Sequence, residues 1–133
     1  KSILMENTVF TDPSGYDPGN TSNAKDLFYL ARYLLNNRPP ILKITRSEKV
    51  RSFGELDFEV EELWNKNIFA HDSTFVGGKT GFIKSSRYTS LFIFEFEKDG
   101  EKRNIAIILL ASQNLKRDTQ IIYKWVQENY FNN

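Results

Sequence analysis

From Tyr88 to Glu97 the chain alternates strictly, placing Phe92, Phe94 and Phe96 on one face of an extended strand and Ile93, Glu95 and Glu97 on the other. Asp99-Gly100 then supplies a two-residue hairpin turn, and Arg103 to Ser112 returns as a second strand. Its stretch Ile105 to Ala111 is apolar on both faces, which predicts a central strand covered by helices on both sides. Earlier in the chain, Leu27, Phe28, Leu30, Ala31, Leu34 and Leu35 recur at helical spacing. Thr21, Ser22 and Asn23 offer N-caps for that helix, and Asn36-Asn37 ahead of Pro39-Pro40 ends it. A second helix closes the chain, with Ile121, Ile122, Trp125 and Val126 read as its buried side.

The remaining stretches carry weaker signals. Residues 1–21 are loop-like, with turn signals at Asp12-Pro13-Ser14-Gly15 and Asp17-Pro18-Gly19-Asn20. Between Ile41 and Asn67, Leu56, Phe58 and Val60 alternate with Glu55, Asp57, Glu59 and Glu61 as on a half-exposed strand. That acidic run invites a metal-site reading, but alternate carboxylates on one strand face ordinarily meet water, and no histidine sits among them. The predicted order is helix, irregular region, strand from Thr74 to Ile83, hairpin and C-terminal helix: an antiparallel α+β arrangement without internal repeats.

A chain of 133 residues that is 40% hydrophobic can bury one ordinary core, so residues 1–133 are expected to form a single unit. Its 18 basic and 17 acidic side chains nearly cancel, and no basic stripe interleaved with aromatics marks it for a phosphate backbone, so nucleic acid is not an expected partner. Cysteine is absent, which excludes disulfides, thiolate chemistry and cysteine-based zinc sites but leaves the redox compartment open. The longest apolar run, Ile105 to Ala111, is far too short to span a bilayer. The chain opens on Lys1 rather than on a methionine or a signal segment, so the expectation is that further sequence belongs upstream.

Val76-Gly77-Gly78-Lys79-Thr80-Gly81-Phe82 is the stretch that carries chemistry, and two unrelated readings compete for it. A phosphate loop requires a glycine where this chain has Ser73 and a helix starting at the lysine, whereas Phe82 onward reads as strand. The alternative is the Lys-Thr-Gly element of penicillin-recognising serine enzymes, which works with a Ser-x-x-Lys nucleophile and a Ser-x-Asn motif. A bare tripeptide is weak evidence, but its position on a strand leading into a hairpin suits the chemistry, because an extended peptide can pair along such an edge.

Several other stretches point the same way. Met5-x-Asn7-Thr8-x-Phe10-x-Asp12-Pro13-Ser14-Gly15-Tyr16, Asn20-Thr21-Ser22-x-Ala24-x-Asp26-Leu27 with Leu30-Ala31, Asn65-x-Asn67 and Arg117 occur in the order found in serine-type D-alanyl-D-alanine carboxypeptidases of the penicillin-binding kind. The chain resembles the C-terminal portion of that family along essentially its whole length. The resemblance implies part of a beta-lactamase/transpeptidase-like fold, with a helix before an antiparallel sheet and a closing C-terminal helix. It also implies that Lys79 supplies a positive charge near the nucleophile, that the Thr80 hydroxyl bonds the substrate's terminal carboxylate, and that Gly81 leaves room for the peptide. The Phe82 N–H becomes a donor to the oxyanion, and Arg117 is a further candidate for the substrate carboxylate.

The departures matter as much. No Ser-x-x-Lys or Ser-x-Asn stands where the family has them. Ser22-Asn23-Ala24-Lys25 matches the family's capping segment instead, and Ser112-Gln113-Asn114 falls after Lys-Thr-Gly, the reverse of the family order. No catalytic residue is therefore assigned within the chain. The expectation is a fragment, or one chain of a split protein, inactive by itself. Its partner would be the missing N-terminal half or a second copy covering an exposed sheet edge. For the complete enzyme the resemblance implies serine attack on the penultimate D-alanine carbonyl of a peptidoglycan stem peptide, release of terminal D-alanine, and stable acylation by beta-lactams. It implies no metal or organic cofactor and a place outside the cytoplasmic membrane. A non-catalytic interaction module with the same fold and a beta-lactamase fragment are the competing readings. His71, Trp64, Trp125 and the phenylalanines read as loop or core residues, and Asn65 and Asn67 as organisers of the loop before the Lys-Thr-Gly strand.

Overall fold

The phenylalanine alternation does become the centre of the molecule. A computed structural model describes residues 3–46, 52–53, 56–57, 65 and 67–131. Within them, β3 (Phe75–Ile83), β4 (Arg87–Lys98) and β5 (Glu101–Ser112) form an antiparallel sheet in the order β3-β4-β5. The turn between β4 and β5 is built on two successive positive φ angles, 56° at Asp99 and 78° at Gly100, as its Asp-Gly sequence requires. A two-stranded ladder pairs β1 (Ser52–Phe53) with β2 (Leu56–Asp57). The rest of the acidic alternation expected from Glu55 to Glu61, and Trp64, lie outside the described residues.

The two faces of β4 feed two clusters. Phe92, Phe94 and Phe96 pack with Phe69, Phe75, Ile107 and Val126 beneath α3 (Leu115–Val126) and the π-helical turn that extends it to Phe131. Phe69 meets Phe92 and Phe94 edge-on, at centroid separations of 5.2 and 5.5 Å. On the other face, Leu91 and Ile93 pack with Ala31 of α1 (Ala24–Asn37) and Leu42 of α2 (Pro39–Thr45). The architecture is therefore α+β, with helices on both sides of an antiparallel sheet, as the C-terminal portion of the expected fold requires.

Three local readings need correction. β5 is covered by α1 on one side and α3 on the other, yet it is an outer strand of the described sheet, and β4 takes the centre. Two-faced apolarity reports coverage of faces and says nothing of whether the edge is paired. Pro39-Pro40 does not open an irregular segment. It occupies the first turn of α2, where a missing N–H costs nothing. On α3 the inward row is Leu115, Thr119, Ile122 and Val126, while Ile121 and Trp125 are 60% and 52% exposed. Thr119 hides this row from a hydropathy reading. It can be fully buried because its hydroxyl donates to the Leu115 carbonyl at 2.7 Å.

The N-terminal loop is fastened to α1 by Asp26, the third residue after the N-cap Asn23. Its buried carboxylate accepts from the Asn7 N–H and the Thr8 hydroxyl, both at 2.8 Å, while its own N–H donates to the Asn23 side chain.

Candidate functional site

Lys79, Thr80 and Gly81 lie on β3, the strand at the opposite edge of the sheet from β5. What fixes this strand is a set of close approaches that only glycine permits. A Cβ on Gly77 would lie 2.8 Å from the Leu42 carbonyl and 2.9 Å from Thr45 Oγ1, so the strand rests directly on α2. Thr45 joins the two: its hydroxyl accepts from the Gly78 N–H at 3.0 Å and donates to the Leu42 carbonyl at 2.9 Å. The Asn65 amide donates to the Thr45 carbonyl, and its Oδ1 accepts from the Asn67 N–H at 2.9 Å. Asn67 Oδ1 in turn accepts from the Phe69 N–H at 3.1 Å. The Asn-x-Asn pair thus organises the approach to β3 through side-chain to backbone bonds, as its composition suggested.

A bulge at Val76 shifts the register between Phe75 and Gly77, after which pairing runs unbroken: Lys79 opposite Leu91, Thr80 opposite Ser90, Gly81 opposite Thr89 and Phe82 opposite Tyr88. Paired residues share a face. Lys79 therefore stands on the α1 and α2 side with Leu91, and Thr80 on the α3 side with Ser90. Lys79 and Gly81 are exposed, and Thr80 is half-buried.

Beside this strand opens a hollow of about 610 Å³. Gly78 to Gly81 form one rim, Leu27, Leu30 and Leu34 of α1 with Ile41 and Leu42 of α2 form an apolar wall, and Phe10, Asp12 to Gly15 and Asn20 form the opposite lip. That lip is rigid for its length, because the Asp12 carboxylate accepts from the Ser14 N–H at 3.0 Å, the Ser14 hydroxyl, the Asn20 amide and the backbone of Tyr16 and Asp17. The Ser14 hydroxyl above all, with Asn20 and the two backbone donors, holds the Asp12 carboxyl far below the ordinary carboxylate range.

Phe82 and Arg117 stand apart from the hollow. Phe82 is 58% exposed and stacks on Tyr88 at 4.6 Å, so its ring covers the end of the hairpin. Arg117, in the first turn of α3, is paired with Asp118 at 3.0 Å through both Nε and a terminal nitrogen. Asp118 also accepts from the Ser112 hydroxyl at 2.7 Å. That hydroxyl first, and Arg117 second, depress the Asp118 carboxyl. Ser112 pairs with Tyr88, and Tyr88 with Phe82, so the register brings the start of α3 to the same end of the sheet as the Lys79 to Phe82 strand.

The serines of the two look-alike motifs are occupied elsewhere. Ser22 shares a hydrogen bond with the Thr8 hydroxyl at 2.8 Å, and the Lys25 ammonium lies over the Tyr29 ring at 6.0 Å. Ser112 and Asn114 cap α3, the Asn114 side chain accepting from the Arg117 N–H at 3.0 Å. The phosphate-loop reading fails outright, because residues 75–83 are one continuous strand and no helix begins at Lys79.

Against this geometry, the family model for D-alanyl-D-alanine carboxypeptidases matches residues 1–113. The chain belongs to the D-alanyl-D-alanine carboxypeptidase family. The family is one of serine-type hydrolases, and the match includes the whole Lys79 to Phe82 strand and the Asp12 lip but ends before Arg117. No curated protein matches the chain. Among the described residues of this carboxypeptidase-family chain, no group of three or more His, Asp or Glu side chains is placed to hold a metal ion. Sequence reasoning had no means of finding two of the groups that shape the site. Thr45 is an isolated hydroxyl in an unpredicted helix, and Ser90 is one small residue in a strand of phenylalanines.

Proposed function

We propose that this chain contributes the substrate-lining strand of a serine-type D-alanyl-D-alanine carboxypeptidase that trims terminal D-alanine from peptidoglycan stem peptides outside the cytoplasmic membrane, and that beta-lactams acylate the assembled enzyme. The observation that carries the reading is the Lys79-Thr80-Gly81 rim, with Lys79 and Gly81 exposed and Thr80 half-buried, on an outer strand of the described sheet, bordering a hollow, in a chain of this family. An extended peptide end can pair along that edge, with Gly81 open to its approach. Lys79, on the α1 and α2 side, provides positive charge toward the attacking serine. Thr80, on the α3 side, meets the terminal carboxylate together with Arg117, and the Phe82 N–H polarises the scissile carbonyl.

The nucleophile comes from outside these 133 residues. Two features support a partner segment: the outer edge of β5, which pairs with no further strand among the described residues, and the leucine-lined wall of the hollow, both of which present surface that favours being covered. The test is a fluorescent penicillin added to the whole gene product that bears this chain. Stable covalent labelling, abolished by Lys79→Ala, supports the carboxypeptidase. Labelling that decays within minutes identifies a beta-lactamase, and no labelling identifies a non-catalytic module of the same fold.

A further inference from the structure

Ser90 is the one buried serine in the sheet whose hydroxyl has no partner among the described residues. It is 4% exposed, so bulk water has little access to it. A buried, unpartnered hydroxyl ordinarily costs stability, and alanine would fit the same space without that cost. Ser112 and Thr119, the other buried hydroxyls, are both hydrogen-bonded. The exception sits directly across from Thr80 in the β3–β4 ladder, on the same face of the sheet. Cross-strand neighbours of this kind have Cβ atoms about 5 Å apart, close enough for two hydroxyls to bond after a side-chain rotation.

We infer that Ser90 is a positioning residue for Thr80: its O–H donates to Thr80 Oγ1 when substrate is bound, turning the Thr80 O–H toward the substrate's terminal carboxylate. This rests on the role proposed above for Thr80. A hydroxyl has one proton and two lone pairs, so a free Thr80 rotor can point its proton in several directions. Filling one lone pair from Ser90 leaves the proton for the carboxylate, and donation into Thr80 makes its own O–H a stronger donor. The arrangement places the hydroxyl relay and Arg117 on the α3 side of β3 and Lys79 on the α1 and α2 side, with Lys79, Thr80 and Ser90 all bordering the hollow. Carboxylate recognition and nucleophile activation thereby occupy opposite faces of one strand.

The experiment uses the whole gene product bearing this chain and two acylated peptides, one ending in D-alanyl-D-alanine and the other in D-alanyl-D-alaninamide, which lacks the carboxylate. Ser90→Ala is expected to lower kcat/KM about tenfold on the carboxylate substrate. It leaves the amide substrate within about twofold of wild type and melts no lower than wild type, because it removes an unsatisfied group. Ser90→Thr, which keeps the hydroxyl, restores most of the loss. Equal losses on both substrates, or no loss on either, overturn the inference while leaving the carboxypeptidase reading intact. A wild-type protein that neither cleaves the first peptide nor reacts with penicillin overturns both.

Discussion

Gly78→Ala tests the placement of the proposed substrate strand most directly. Gly78 pairs with Phe92 of the central strand, and a Cβ there would lie 2.3 Å from the Leu91 carbonyl oxygen and 3.0 Å from both Cα and Cδ1 of Phe92. Ordinary contact begins at 3.4 Å, so β3 must retreat from β4 by about 1 Å. The two backbone atoms belong to the most buried strand and cannot rotate aside. Retreat also stretches the bond from the Gly78 N–H to Thr45 Oγ1, now 3.0 Å. Overpacking of this kind costs about 1–3 kcal/mol. Alanine recovers roughly 0.4–1 kcal/mol of that by restricting the unfolded chain. The net loss of about 1–2 kcal/mol lowers Tm by roughly 3–8 °C in a protein of this size. Gly81→Ala is the internal control, because its Cβ meets only the Thr89 hydroxyl, at 3.3 Å, and that side chain can yield. Thermal unfolding followed by circular dichroism should therefore separate the two variants, with Gly81→Ala near wild type. Penicillin acylation should fall in both. In Gly78→Ala the strand moves, and a displacement of about 1 Å can cost on the order of a hundredfold. In Gly81→Ala the methyl group would occupy the path proposed for the peptide. A Gly78→Ala protein that melts within about 1 °C of wild type would refute the packing argument and the register behind it.

Three other outcomes follow from the same structure. Phe94→Ala removes a ring with no exposed surface and contacts to Phe69, Phe75 and Tyr123, so urea unfolding should show a loss of about 3–5 kcal/mol; a loss under about 1 kcal/mol would place the core elsewhere. Asp26→Ala strands the Asn7 N–H and leaves the Thr8 hydroxyl with Ser22 alone, and should cost about 1–3 kcal/mol by the same measurement, whereas Glu6→Ala, on the exposed surface nearby, should be silent. The Asp12 carboxyl titrates below its ordinary value of 3.8, so its contribution to the lip is complete above that value and is lost only as pH falls toward the depressed folded value. NMR shifts of the Ser14 and Asp17 amides should accordingly stay unchanged from pH 6 to about pH 3, and Ser14→Ala should move their titration upward into the usual carboxylate range.

Much of the fold was legible because β-sheet periodicity is unambiguous when one face is aromatic. Phe92, Phe94 and Phe96 could not share a face in any other conformation, and Asp99-Gly100 fixed where the strand turned. The Lys-Thr-Gly strand was readable from its surroundings more than from the tripeptide. The misreadings have a common cause, which is that hydropathy does not report who is nearby. Trp125 and Ile121 are apolar and face outward, while Thr119 is polar and faces inward because its hydroxyl finds a carbonyl within its own helix. Pro39-Pro40 carries one local meaning as a helix breaker and another as a helix opener, and only the following Ile41 to Thr45 decides between them. Thr45 and Ser90 escaped because what matters about each is a neighbour across the fold, Gly78 for Thr45 and, by the inference above, Thr80 for Ser90, a relation that spacing along the chain does not encode.

The bulge at Val76 has a consequence for insertions and deletions. Because Val76 is the extra residue between Phe75 opposite Phe94 and Gly77 opposite Ile93, deleting it leaves Lys79 opposite Leu91 and Thr80 opposite Ser90. Inserting one amino acid between Val76 and Gly77, with the bulge kept, would instead set Lys79 opposite Ser90 and Thr80 opposite Thr89, exchanging the sides of the sheet on which the ammonium and the hydroxyl stand. An insertion of one here should therefore be as damaging as losing the lysine, whereas a deletion of one is absorbed by the bulge, although in both the motif would read as intact.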